Sequence, residues 1–302
     1  MKNNMLIIML FMILGCSSTE VSKKKEHYLI RGMNYSKTGN YTKAIEEYKE
    51  FYKIDKKDLI LLREMGLAYA QLSEYSLAEK YYLEALEIEP EDQLTLINIS
   101  ILYYKIGDFK KSKKYISKIS SDNMDYRIFL LKGFIAFDEK EYEVAYENLS
   151  KVINSIKVED YTFVEKYVEV LKETKRTNEI YPFIYKVYQA QKNNPTVVID
   201  YSRFLIDIFG DYDGAFKVLK AYNAKEKNDR IILELAVRSF EVGKIKDSEA
   251  YLRLLTDAYL YDVNVLQLKR DIALKNKKYS EADKYTKILE KVSDLDNGNY
   301  KD

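Results

Sequence analysis

From about residue 25 onward, the large, small and polar positions of the chain follow one order that keeps returning. A large apolar residue is followed four places on by a small one, and three places later by an aromatic. The sets are Tyr28, Gly32 and Tyr35; Leu62, Gly66 and Tyr69; then Leu96, Ser100 and Tyr103. A fourth set, Phe129, Gly133 and Ala136, gives up the aromatic. Spacings of three and four put such residues on one face of a helix. Each set is followed by a turn and a hexapeptide ending in a small residue, as in Gly39-Asn40-Tyr41-Thr42-Lys43-Ala44 or Ser73-Glu74-Tyr75-Ser76-Leu77-Ala78. The closing small residues are Ala44, Ala78, Ser112, Ala145, Ala215, Ser248 and Ala282, at spacings of 34, 34, 33, 70, 33 and 34. Gly39, Gly107, Gly210 and Gly243 stand where a first helix must stop, because glycine accepts the left-handed cap conformation. The pattern predicts an all-α chain of helix–turn–helix units. One block cannot bury its own face, so neighbours must stack.

This period and pattern resemble the tetratricopeptide repeat family. The resemblance covers about nine-tenths of the chain, and Pro90 matches the family's closing proline. The tryptophan usual at the first large position is absent throughout. The resemblance implies an α-solenoid of about eight units in a right-handed superhelix, near 25–58, 59–92, 93–125, 126–160, 161–195, 196–228, 229–262 and 263–296. Residues 297–302 are expected to form a polar tail. Unit five fits worst, lacking the glycine and the small residue. Pro182 falls inside its second helix, where proline costs about 3 kcal/mol unless it stays in the first turn. A degenerate repeat with a shifted helix start is expected there in preference to a hinge.

The family's architecture places the first helix of each unit on an inner, concave face. Reading its second, fifth, ninth and twelfth positions gives a groove of Met33, Leu67, Ile97, Ile101, Tyr104, Leu130, Phe134 and Phe137, flanked by Leu29, Ile60 and Leu94. Unit seven adds Leu233, Val237 and Phe240. The middle turns acidic through Glu165, Glu169, Asp200 and Asp207, with Lys172 among them. A long apolar strip of this kind suits an amphipathic helix or an extended hydrophobic peptide. The carboxylate clamp of chaperone-binding members is not present, since its places carry Leu29, Met33, Glu64, Leu94 and Asn98.

The first sixteen residues, MKNNMLIIMLFMILGC, have a different character. Lys2 precedes an apolar run from Met5 to Leu14, which is too short to span a bilayer and reads as a signal-peptide core. Ile13-Leu14-Gly15-Cys16 resembles a bacterial lipobox. That implies a signal peptide over 1–15, cleavage after Gly15, and lipidation at Cys16. The stretch 16–24 is expected to be a polar tether without periodicity. Several acyl chains make such an anchor durable, at roughly 0.8 kcal/mol per buried CH₂. Ser17 after the cysteine points to the outer membrane if the cell has one.

Composition closes other routes. The chain has 49 Lys+Arg against 48 Asp+Glu, which leaves no basic stripe for nucleic acid. With one Cys and one His there is no disulfide framework and no Cys- or His-cluster metal site. No phosphate loop or nucleophile elbow is present, and the abundant carboxylates form no pocket motif. The expectation is a non-enzymatic protein with no cofactor and no metal. It would be lipid-anchored to the cell envelope and would hold an envelope protein or peptide in the groove. The alternative is a surface glycan-binding lipoprotein using Tyr104 and Phe137.

Overall fold

The computed structural model describes residues 2–120, 125–153 and 161–296, with side chains over 20–120, 125–153 and 162–292. All regular structure among the described residues is helical. The N-terminal part, Met1–Lys175, contains α1 (Lys2–Lys37), α2 (Tyr41–Ile54), α3 (Leu59–Gln71) and α4 (Tyr75–Ile88). It continues with α5 (Gln93–Lys105), α6 (Phe109–Ile116), α7 (Tyr126–Asp138), α8 (Tyr142–Leu149) and α9 (Tyr161–Glu173). The C-terminal part, Arg176–Asp302, contains α10 (Thr177–Ala190), α11 (Pro195–Phe209), α12 (Tyr212–Lys225) and α13 (Asp229–Glu241). It ends with α14 (Ile245–Leu252), α15 (Val263–Lys275) and α16 (Tyr279–Asp296). In the N-terminal part α1 packs with α2, α3 with α4, α5 with α6 and α7 with α8, and in the C-terminal part α11 with α12, α13 with α14 and α15 with α16; within each part neighbouring pairs pack on one another.

The turns at three glycines are made the same way. Gly39, Gly107 and Gly243 lie at φ of 78°, 78° and 77°, and the next N–H reaches back five residues. Asn40 N donates to the Tyr35 carbonyl at 2.9 Å, Asp108 N to Tyr103 at 2.9 Å, and Lys244 N to Ser239 at 2.8 Å. This closes the first helix as a Schellman cap. The following side chain then opens the second helix: Asn40 accepts from Lys43 N, and Asp108 from Lys111 N. Ser73, Lys140, Lys175 and Lys277 hold the same left-handed place without being glycine. Nothing lies within 4 Å of a Cβ at Gly243, so its requirement is purely one of backbone conformation. Gly243→Ala is expected to cost about 1 kcal/mol and Lys140→Gly to gain a similar amount, both read from urea midpoints.

Close approach of the paired helices needs small residues. A Cβ on Gly66 would stand 2.6 Å from the Tyr82 ring, and Gly32 and Gly133 meet Tyr48 and Leu149 in the same fashion. Where the small residue of the second helix is serine, its hydroxyl crosses the gap. Ser112 donates to the Ser100 carbonyl at 2.8 Å, and Ser248 to the Ala236 carbonyl at 2.7 Å. The seventh residue of the first helix points into the joint with the preceding pair. Met65, Ile99, Tyr167, Tyr201 and Leu235 all fill this place and are buried.

Three expectations are corrected. The stretch 16–24 is not an irregular tether, because α1 runs through it as one helix. Phe129 does not fill the core of its repeat: it is half-buried with Lys151 Nζ 5.0 Å from its ring, while Ile128 and Leu131 take the interior. Pro182 lies in the second turn of α10, and the helix continues past it. The carbonyl it leaves unpaired belongs to Asn178, an exposed residue that water can serve. The Cys16 side chain and residues 297–302 lie outside the described residues. Among the described residues, no helix is long and apolar enough to cross a membrane.

Candidate partner-binding face

In the N-terminal part, α1, α3, α5, α7 and α9 pack side by side, so residues at one helical position form a row across them. The ninth position gives Met33, Leu67, Ile101 and Phe134. Exposure falls along the row, from 43% at Met33 through half-buried Leu67 and Ile101 to 9% at Phe134. Ile60 and Leu94 flank its open end and are 43% and 42% exposed.

The row closes on a polar group with aromatic walls. Tyr104 comes from the last turn of α5, Asp138 from the end of α7, and Lys166 from the middle of α9. The Tyr104 hydroxyl donates to Asp138 Oδ2 at 2.7 Å, and Lys166 Nζ donates to Oδ1 at 2.5 Å. Both carboxylate oxygens are therefore engaged. The same ammonium stands 4.2 Å from the centroid of Phe137 and 5.5 Å from that of Phe134. The Tyr104 ring leans on Phe134 at 6.3 Å and stacks on Phe109 at 5.7 Å. Burial, then the hydrogen bond to Asp138 and its charge, push the Tyr104 hydroxyl above the usual tyrosine range. It remains a neutral donor at any physiological pH. The group can orient a ligand at its edge, and it contains no activated nucleophile.

The repeating geometry agrees with the sequence match. Residues 27–58 and 64–92 fit the tetratricopeptide repeat family model. Those two segments are tetratricopeptide repeats. A tetratricopeptide repeat protein from Parabacteroides merdae shares the fold at 12% identity, over 82% of this chain and 97% of that chain, with a TM-score of 0.51. Also similar are pilF of Pseudomonas aeruginosa (15% identity, 83% and 99% covered, TM-score 0.44) and PilW, a type IV pilus biogenesis factor (16%, 81% and 97%, TM-score 0.43). Comparison with curated proteins gives no match.

The repeats place some groove residues otherwise than their spacing implies. Ile97 is 2% exposed and belongs to the core between α5 and α7. Phe134 is nearly as deep, and Ile101 packs against the same cluster. Both lean inward because successive first helices touch along this face. Leu130 and Phe137 are half-buried, which leaves Met33 as the most open of the expected contacts. Tyr104 and Phe137 offer no free ring face, being covered by Phe109, Phe134 and Lys166. In the C-terminal part, Leu233, Val237 and Phe240 pack against a core cluster around Leu252 and Leu268.

The acidic middle also changes meaning. Asp200 is 8% exposed and lies 4.0 Å from Arg203. Arg203 in turn grips buried Glu234 with two donors, at 3.2 and 2.9 Å. Asp138 and Lys166 were missed by reading only four positions per helix, since they sit one place beside the positions chosen. A charge pair recurring near the repeat length is the signal that would have found them. Also missed was an exposed aromatic group on α10 and α11: Tyr181 and Tyr185 lie parallel at 6.0 Å, with Phe209 edge-on to Tyr181 at 5.7 Å. Among the described residues no group of three His, Cys, Asp or Glu is placed to hold a metal.

Proposed function

We propose that this is a membrane-anchored protein-binding scaffold of the bacterial cell envelope, with an assembly or secretion accessory role. The partner is an envelope protein presenting an amphipathic helix or extended apolar peptide. The observation that carries the reading is the apolar row from Met33 to Phe134, open at one end and closed at the other by Tyr104, Asp138 and Lys166. A peptide laid along it would bury side chains on Met33, Ile60 and Leu94 and meet ring edges at the closed end. Lipidation at Cys16 would fix the scaffold to its membrane. Supporting that step are the lysine, the ten-residue apolar run and the single cysteine at the end of the lipobox-like sequence.

Photo-crosslinking from position 60 in whole cells tests the site, since Ile60 is exposed beside the row. One envelope protein is expected to be trapped, and to be lost when the same crosslinker is carried by a Met33→Asp, Leu94→Asp double variant that keeps its helicity. Both residues are about two-fifths exposed, so each change should cost under about 0.5 kcal/mol. Equal trapping by wild type and variant would overturn the groove assignment. The anchor has its own readout: Cys16→Ser should abolish labelled-palmitate incorporation and release the protein from membranes. A second reading, glycan capture, draws on the exposed Tyr181, Tyr185 and Phe209 rings, which suit stacking on sugar faces. A sugar-array screen decides it, with Tyr181→Ala as the control.

A further inference from the structure

The open end of the partner-binding face holds two polar side chains among apolar ones. On α3, Ile60, Glu64 and Leu67 follow at spacings of four and three, so they share one side of the helix. On α5, Leu94, Asn98 and Ile101 repeat the arrangement. Because α1, α3 and α5 pack side by side, Glu64 and Asn98 fall in one row with Ile30 of α1. The surround is apolar and open: Ile30 is 50% exposed, and Ile60, Met33 and Leu94 are exposed with it. Glu64 and Asn98 themselves are half-buried.

Among the described residues, the Glu64 carboxylate receives no hydrogen bond and no ion pair, and the Asn98 amide makes no hydrogen bond. The cations that could serve Glu64 are committed elsewhere. Arg63 turns to Asp92 at 3.4 Å, and Arg31 on α1 is held by Glu47 at 2.7 Å. Two tyrosines of the second helices come close to the same carboxylate, Tyr48 with its ring against Gly32 and Tyr82 with its ring against Gly66. Burial, and then the charge of Glu64, push both hydroxyls above the usual tyrosine range. The Tyr48 hydroxyl is buried and Ser36 stands near it without completing a hydrogen bond. Burial lifts the Glu64 carboxyl above the usual glutamate range, and Arg63 offsets only part of this. A carboxylate withdrawn from water without a cation costs stability. A charged donor brought by a partner would recover that cost on binding.

We propose that the peptide laid on this face carries a basic residue between aliphatic ones, and that Glu64 and Asn98 receive it. The carboxylate takes the charge and the Asn98 carbonyl takes a further N–H. Arginine, with its planar fork of donors, suits two such acceptors better than lysine. Aliphatic residues on either side of it cover Ile30, Ile60 and Leu94. Charge complementarity at Glu64 separates this occupant from a wholly apolar helix. The inference rests on the assignment of this face as the partner site and names the chemistry of the partner.

Selection from a random peptide display library, run on the full chain and on its Glu64→Gln variant, tests this. Wild type is expected to enrich peptides with arginine or lysine among aliphatic residues, and the variant to enrich aliphatic peptides with no basic preference. For an enriched peptide, an uncharged isostere at the basic position should weaken binding at least about tenfold by fluorescence polarisation, and Asn98→Ala about fivefold. Glu64→Gln should melt no lower than wild type, because it breaks no contact and removes a charge from a half-buried place. Its loss of selectivity is then not a loss of fold. Wild-type enrichment of aliphatic peptides without a basic residue would overturn this proposal and leave the partner-binding face standing. The same basic preference in the Glu64→Gln chain would also overturn it. Enrichment of no peptide by wild type would overturn both readings. A wild-type dimer, seen by sedimentation and dissolved by Glu64→Gln, would give the site to a second copy of this chain and overturn the peptide assignment.

Discussion

Ala78→Asp is expected to unfold the α3–α4 pair at a cost of about 4 kcal/mol or more. Ala78 has no exposed surface and sits where α4 comes nearest to α3. The serine-bearing repeats show what faces this place: Ser112 and Ser248 each donate to a carbonyl twelve residues earlier, on the first helix. The corresponding carbonyl at residue 78 is that of Gly66. A carboxylate there would oppose a lone pair to a lone pair, with no donor and no water. Ala78→Ser, by contrast, supplies the hydroxyl that two other repeats use, and should change stability by less than about 1 kcal/mol. Hydrogen exchange resolved by peptide is the check. In the aspartate variant protection should vanish over 59–88 first, and in the serine variant it should be retained throughout.

Glu234→Ala is the second large effect, expected at about 3 kcal/mol. Glu234 is 5% exposed and receives Arg203 on one side and Arg238 on the other, the latter through Nε at 2.9 Å and Nη2 at 2.7 Å. Truncation strands two cations. Arg203 is half exposed and can turn to solvent, but the Arg238 side chain is only 14% exposed, and its remaining partner is Glu241 at 2.8 Å. That remaining bond keeps the loss toward the lower end of the range for a broken buried pair. Burial alone would raise the Glu234 carboxyl, but Arg203 and Arg238 outweigh it and hold it below the usual glutamate range. The folded chain thus releases this proton at lower pH than the unfolded chain, where the group titrates near its usual 4.5. The cluster's stabilisation is fully present above about pH 4.5 and is lost as the pH falls through the folded value. Urea midpoints of wild type and variant should differ widely at pH 7 and converge in acid.

The helical architecture was legible because it is written in spacing. Small residues at fixed intervals, glycines at the caps and a 34-residue return leave few other ways to bury the apolar faces. Burial along the partner-binding face was less legible. Ile97 and Met33 are both large apolar residues on the same kind of helix, yet one is in the core and the other is open. The difference is whether a neighbouring first helix covers them, which a single repeat does not reveal. Asp138 and Lys166 belong to different repeats and gain their meaning only when α7 and α9 lie side by side.

The shortness of α6 and α14, eight residues each, bears on how the array comes apart. A stack of repeats is a line of joints, each holding only its two neighbours, and its cooperativity is set by the weakest of them. The joints at α6–α7 and α14–α15 exchange apolar contact for empty volume. Fraying of this molecule therefore need not start at its termini. Openings can nucleate in the interior, at these two seams.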